Sequence, residues 1–204
     1  MLEKWRERTQ SILDFGIKPF IKFNPNTLTF LSFIFAILAA FAFYFTQYNS
    51  KSLFLASLFI AISGFFDAID GKLARFKNQT SAKGDFLDHL LDRYSDLLII
   101  GGFALTKFCR PELALLGVIG TLFASYAGTQ AQAVGIGRIY AGLLTRADRL
   151  VLLIFAPIAQ YFLSNILILN FTILELTGLI FFILGQLTAV QRAFLTWMSF
   201  KQKS

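Results

Sequence analysis

The apolar residues of this chain come in long blocks, and that pattern confines the fold to a bundle of membrane helices. The blocks run from about Leu28 to Phe45, Ser52 to Arg75, Gly84 to Phe108, Pro111 to Val134, Ala147 to Leu163 and Phe171 to Trp197. A helix needs about 20 predominantly apolar residues to cross the hydrocarbon core of a bilayer. Only 15% of the residues are charged and 56% are hydrophobic, whereas soluble domains are about 25% charged. The expected architecture is an all-α polytopic membrane protein with six transmembrane helices. No internal repeat or linker interrupts it, so residues 1–204 read as one domain.

Residues 1–22 mix charge with Leu2, Trp5, Ile12, Leu13, Phe15, Ile17 and Phe20. This pattern predicts an amphipathic helix lying in the membrane interface, with a frayed tail as the alternative. The charged start and its interrupted apolar residues argue against a cleavable signal peptide. Asn24-Pro25-Asn26-Thr27 then supplies a helix start with proline in the opening turn.

The basic residues predict an orientation. Sixteen of the 19 lysines and arginines fall before the first span, around the second-to-third and fourth-to-fifth connections, and at the end of the chain. Lys51, Lys107 and Arg110 are the three on the other side. The positive-inside rule then puts both termini in the cytoplasm of a cell-membrane protein. The net charge of +7 is scattered over loop ends, which is no pattern for nucleic acid.

Six of the 12 acidic residues lie between Asp67 and Asp96. Asp67 and Asp70 are spaced i,i+3, Asp88 and Asp92 i,i+4, and Asp96 follows one turn later, so each set shares a helix face. Such acids are costly near hydrocarbon and repel one another. A divalent cation with hard oxygen ligands would relieve that repulsion. One Cys and one His rule out a thiolate or polyhistidine cluster. The uninterrupted apolar run of the second span, Leu53 to Phe66, has 14 residues. The acids must therefore lie just inside the cytoplasmic boundary, where a lipid tail in the bilayer and a polar head in the cytosol meet. Gly71 and Ala74 leave room beside them, and Arg75 can meet a phosphate. Charge placement alone leaves three readings open: catalysis, a cation or proton path, and structural neutralisation of arginines. His89 reads as a packing or interfacial residue off the acidic face, Cys109 as inert, and the glycines at 101, 102 and in the fourth span as helix contacts.

Asp67-x-x-Asp70-Gly71-x-x-Ala74-Arg75, eight residues, then Gly84-x-x-x-Asp88-x-x-x-Asp92 resembles the CDP-alcohol phosphatidyltransferase signature in every fixed position. The resemblance implies transfer of a phospho-alcohol from a CDP-linked lipid to an acceptor hydroxyl, with release of CMP. It implies two ions, Mg²⁺ or Mn²⁺, held by Asp67, Asp70, Asp88 and Asp92, with Asp92 also the base. It implies a CDP-lipid site at Asn26, Thr29, Gly71, Ala74, Arg75, Ser81 and Gly84, and a homodimer in the membrane. Leu144-Thr145-Arg146-Ala147-Asp148-Arg149-Leu150 and Gln191-Arg192 are similar to the phosphatidylinositol-phosphate and archaetidylinositol-phosphate synthases. That likeness implies an acceptor pocket of Arg138, Arg146, Arg149 and Arg192 for myo-inositol 1-phosphate. The uncharged Ser125-Tyr126-Ala127-Gly128-Thr129-Gln130-Ala131-Gln132 stretch departs from those synthases and keeps glycerol 3-phosphate or an unphosphorylated polyol open as acceptor.

Overall fold

The computed structural model describes residues 16–164 and 168–201. Among them are six α-helices: α1 (Pro25–Phe45), α2 (Ser52–Phe76), α3 (Ala82–Gly102), α4 (Pro111–Ala133), α5 (Arg146–Phe162) and α6 (Ile173–Lys201). Among the described residues there is no strand, and Ile168 and Phe171 form a single isolated bridge. Most of the expected interfacial helix over 1–22 lies outside the described residues; 3-10 turn Lys18–Phe20 and buried Ile17, packed with Leu28, Ile69 and Leu73, are what the structure describes of it.

Local chemistry sets the helix starts. The Asn24 side chain accepts from the Asn26 N–H at 3.0 Å with Pro25 at the first helical position, as a capped start requires. Ser81 accepts from the Gly84 N–H at 3.1 Å and so opens α3. Thr145 and Asp148 close a reciprocal capping box at α5.

The helices run alternately between two ends of the bundle. At one end Lys77 Nζ donates to the Phe23 carbonyl at 2.8 Å, and Arg192 Nε donates to the Ala141 carbonyl at 2.8 Å. At the other, Gln47 donates to the Leu105 carbonyl at 2.8 Å, Thr172 to the Phe108 carbonyl at 2.5 Å, and Arg110 pairs with Glu175 at 2.7 Å. Ala36, Ala39, Phe43, Ile60, Ile100 and Phe103 fill the core between α1, α2 and α3. Helices α4 and α6 approach closely enough that a Cβ on Gly178 would lie 2.6 Å from the Leu113 carbonyl oxygen. Only glycine permits that approach. Four helices, α1, α2, α4 and α6, are long and apolar enough to cross a membrane. Helix α3 carries Asp85, Asp88, Asp92 and Asp96 and α5 has 17 residues, so neither passes on length and composition.

Candidate active site

The last three turns of α2 and the first three of α3 meet at the first end of the bundle, and their acids face each other. Oxygens of Asp67, Asp70 and Asp88 lie within 4.8 Å of one another, and so do ligand atoms of Asp88, His89 and Asp92. Asp88 belongs to both groups. Asp70 and Asp92 are only 4% and 5% exposed. Asp70 Oδ2 is fully buried and has no hydrogen-bond partner. A buried carboxylate oxygen in that state costs free energy unless a cation meets it, so the donor set fits a divalent metal with oxygen ligands.

Beside the acids is a cleft of about 180 Å³. All seven residues expected to hold the CDP-lipid line it: Asn26, Thr29, Gly71, Ala74, Arg75, Ser81 and Gly84. The caps explain the placement. Ser81 and Asn26 sit at the starts of α3 and α1, and a Cβ on Gly84 would lie 3.3 Å from Ser81 Oγ and 3.5 Å from Asn26 Oδ1. Arg75 is exposed and its guanidinium lies over Gly71, 3.7 Å from where a Cβ would stand. Gln79 and Thr80, which the sequence reading passed over, also line this cleft.

From the cleft inward the acids and arginines alternate. Arg146 donates to Asp67 Oδ1 at 2.8 Å and to Asp92 Oδ1 at 2.5 Å. Arg93 lies 3.5 Å from Asp92 and 3.5 Å from Asp96 and donates to the Ser125 hydroxyl. Arg149, buried at 5% exposure, donates to Asp96 Oδ2 at 3.2 Å. The alternation gives Asp67, Asp92, Asp96, Arg146 and Arg149 opposite neighbours, whereas no ion pair meets Asp70 among the described residues.

The four arginines expected at the acceptor site thus have different surroundings. Arg146 reaches the acids, and Arg138 meets His89 and lies over the Tyr140 ring. Arg149 faces Asp96. Arg192 is spent on main-chain carbonyls of Ala124 at 2.6 Å, Ala141 at 2.8 Å and Tyr140 at 3.2 Å, where it fixes the α4–α5 connection. A second cleft, of about 270 Å³, has His89, Arg93, Ser125, Thr129 and Arg138 on its walls.

A profile of the CDP-alcohol phosphatidyltransferases matches residues 22–198. The chain belongs to that family. An archaetidylinositol phosphate synthase of Methanothermobacter thermautotrophicus is 30% identical over 201 residues, 98% of this chain and 96% of that protein. The enzyme of the same name from Pyrococcus horikoshii is 34% identical over 135 residues, 66% and 69% of the two chains. Among solved structures, the Mycobacterium tuberculosis phosphatidylinositol phosphate synthase with CDP-DAG bound has a TM-score of 0.73 at 21% identity, covering 93% of each chain. Its complex with manganese and citrate has a TM-score of 0.72 at 22% identity, covering 92% of this chain and 88% of that one. This CDP-alcohol phosphatidyltransferase is therefore a membrane transferase of phospholipid biosynthesis with the fold of that synthase.

Within the family signature, the eight fixed residues all lie at or beside the first cleft and its acids. His89 corrects the sequence reading. It stands among the acids, with Nε2 3.2 Å from Asp85, and Nδ1 3.7 Å from Asp88 and 3.9 Å from Asp92. Its i,i+4 spacing from Asp85 and i,i+3 spacing to Asp92 were the available signal. Arg93 was passed over although its i,i+3 spacing to Asp96 was a local signal; its contact with Ser125 on α4 had none. Asp96 pairs with Arg93 and Arg149.

Proposed function

We propose that the protein transfers a phosphatidyl or archaetidyl group from a CDP-linked lipid to a hydroxyl of myo-inositol 1-phosphate, releasing CMP. The observation that carries this reading is the cleft in which all seven expected nucleotide-lipid residues border the paired acids. The named activity of the relatives supports the acceptor, and CDP-DAG in the mycobacterial synthase supports the donor class.

Asp67, Asp70 and Asp88 would hold one divalent ion, and Asp88 and Asp92 a second, Mg²⁺ or Mn²⁺. When bound, such ions neutralise a pyrophosphate and stabilise attacking and leaving oxygens. Asn26, Thr29, Gly71, Ala74, Arg75, Ser81 and Gly84 bind the CDP group, with the backbone at Gly71 and Gly84 open to it. Asp92 accepts the proton of the acceptor hydroxyl, whose oxygen forms the new bond to the lipid-bearing phosphorus. The bond from that phosphorus to the bridging oxygen breaks, and CMP leaves with its electron pair. The second cleft receives the acceptor: Arg138 on its wall binds the phosphate, Arg146 reaches it from beside Asp67 and Asp92, Arg93 and Thr129 face its hydroxyls, and Arg149 and Arg192 hold the frame.

The same reading takes residues 1–204 as one domain with six crossings, since α3 and α5 run between the same two ends as the four apolar helices. Both ends of the chain and the site are cytoplasmic, and the protein is a homodimer. Purified protein given CDP-diacylglycerol or CDP-archaeol with a panel of alcohols tests the reaction. CMP release should require inositol 1-phosphate, stop with EDTA and return with Mg²⁺ or Mn²⁺. Release driven equally by glycerol 3-phosphate or a neutral polyol would overturn the acceptor, and full turnover in chelator would overturn the metal.

A further inference from the structure

His89 is the single histidine of the chain, and its two ring nitrogens have different surroundings. Nε2 lies 3.2 Å from Asp85 Oδ1, one helical turn earlier on α3. Nδ1 is buried and has no hydrogen-bond partner, and it points between Asp88 Oδ2 at 3.7 Å and Asp92 Oδ2 at 3.9 Å. Those separations are too long for hydrogen bonds. They suit ligands that share an ion. With metal–ligand bonds of about 2.1 Å, two ligands at right angles stand about 3 Å apart and two opposite ligands about 4.2 Å apart.

We infer that His89 Nδ1 is a nitrogen ligand of the second divalent ion, alongside Asp88 and Asp92, and that Asp85 orients it through Nε2. The inference rests on the proposed metal chemistry and adds a ligand to it. A ring N–H held by a carboxylate while the other nitrogen binds metal is the common arrangement for metal-bound histidine, and it fixes the tautomer. The Arg138 guanidinium also meets Nε2. It favours the opposite tautomer, with a lone pair on Nε2, so Asp85 and Arg138 compete for this ring. A cation beside Nδ1 decides the competition for Asp85, because an ion takes the Nδ1 lone pair.

The two ion positions then differ in chemistry. Asp67, Asp70 and Asp88 offer oxygen alone, which suits Mg²⁺ or Mn²⁺. Asp88, His89 and Asp92 offer two oxygens and a nitrogen, which favours a transition-metal ion over Mg²⁺.

The test uses the full chain in detergent, freed of any affinity tag histidines and stripped of metal, then given one equivalent of Mn²⁺ in excess Mg²⁺. Pulsed electron paramagnetic resonance of the bound Mn²⁺ should show coupling to ¹⁴N. Growth with ¹⁵N-histidine should replace it with the ¹⁵N pattern, and no substitution is needed because His89 is alone. His89→Gln should bind Mn²⁺ without the coupling, and about tenfold less Mg²⁺ should displace it. Asp85→Asn should weaken Mn²⁺ about tenfold, the lower end of the usual cost of losing such a carboxylate. Mn²⁺ that binds the parent with a spectrum unchanged by ¹⁵N-histidine overturns the nitrogen ligand and leaves the metal reading standing. A parent that binds no Mn²⁺ overturns both.

Discussion

Asp92 is the residue on which the site turns, because it belongs to the metal group and also touches Arg146 at 2.5 Å and Arg93 at 3.5 Å. Replacing it with Asn preserves shape and removes the proton acceptor. Asp92→Asn should lower turnover by about 10² to 10⁴, while CDP-lipid binding, measured by calorimetry, stays within a few-fold because Asp67, Asp70 and Asp88 remain. Near-normal kcat in that variant would remove Asp92 as base. Arg149 makes a different case. It and Asp96 are both buried, and breaking a buried pair by removing one partner typically costs about 3–5 kcal/mol. Arg149→Ala should therefore lower the thermal unfolding temperature in detergent, and Asp96→Asn added to it should restore part of the loss. If Arg149→Ala unfolds at the parent temperature, the pair is not structural. The signature acids were legible because spacing on one helix determines a face. Arg149's partner was not legible, since the pairing joins α5 to α3 and depends on how the helices pack.

At the scale of elements, the chain's own start signals set the helices: Asn24 with Pro25, Ser81, Pro111, and Thr145 with Asp148. Apolar length placed most helix ends within four residues, but it carried the third span to Phe108, whereas α3 stops at Gly102 and a 3-10 turn follows over Phe103–Leu105. It could not rank the glycines, because whether a glycine lies against a neighbour is a property of the packed pair. A Cβ on Gly102 would lie 2.8 Å from the Phe43 ring, whereas one on Gly101 would meet nothing within 4 Å. On α4, a Cβ on Gly120 would collide with the α6 backbone at Phe181 and Phe182. Gly120→Ala should destabilise by about 1–3 kcal/mol as an overpacked contact. Gly101→Ala should be neutral or stabilising by up to about 1 kcal/mol, since alanine is the better helix former. Thermal unfolding of the two variants in one detergent compares them directly. Equal losses would mean that α4 and α6 do not pack as closely as the structure has them.

At the scale of the whole molecule, charge and chemistry coincide at one end of the bundle. The acids, both clefts and the arginines Arg75, Arg93, Arg138, Arg146, Arg149 and Arg192 gather there, while Lys51, Lys107 and Arg110 stand at the other end. Loop charge alone predicts this asymmetry from the sequence. Four helices qualify as spans by length and composition; α3 does not because acids fill its first turns, and α5 does not because it has 17 residues. Helix α2 carries Asp67 and Asp70 and still qualifies, because its apolar residues from Leu53 to Phe66 come before them. The orientation can be tested with thiols. Cys109, the single cysteine, is buried, and burial with Glu175 nearby pushes its thiol up to about 12, so it should react little with maleimide at neutral pH. Gln79→Cys, in the α2–α3 turn at the site end, and Asn49→Cys, in the α1–α2 turn at the other, are both exposed positions. In intact cells a membrane-impermeant maleimide should label residue 49 and leave residue 79 unlabelled until the membrane is opened. Labelling of residue 79 from outside would reverse the orientation, and the CDP-lipid cleft would then face away from the cytosol, where a CDP-linked donor would have to be met on the other leaflet.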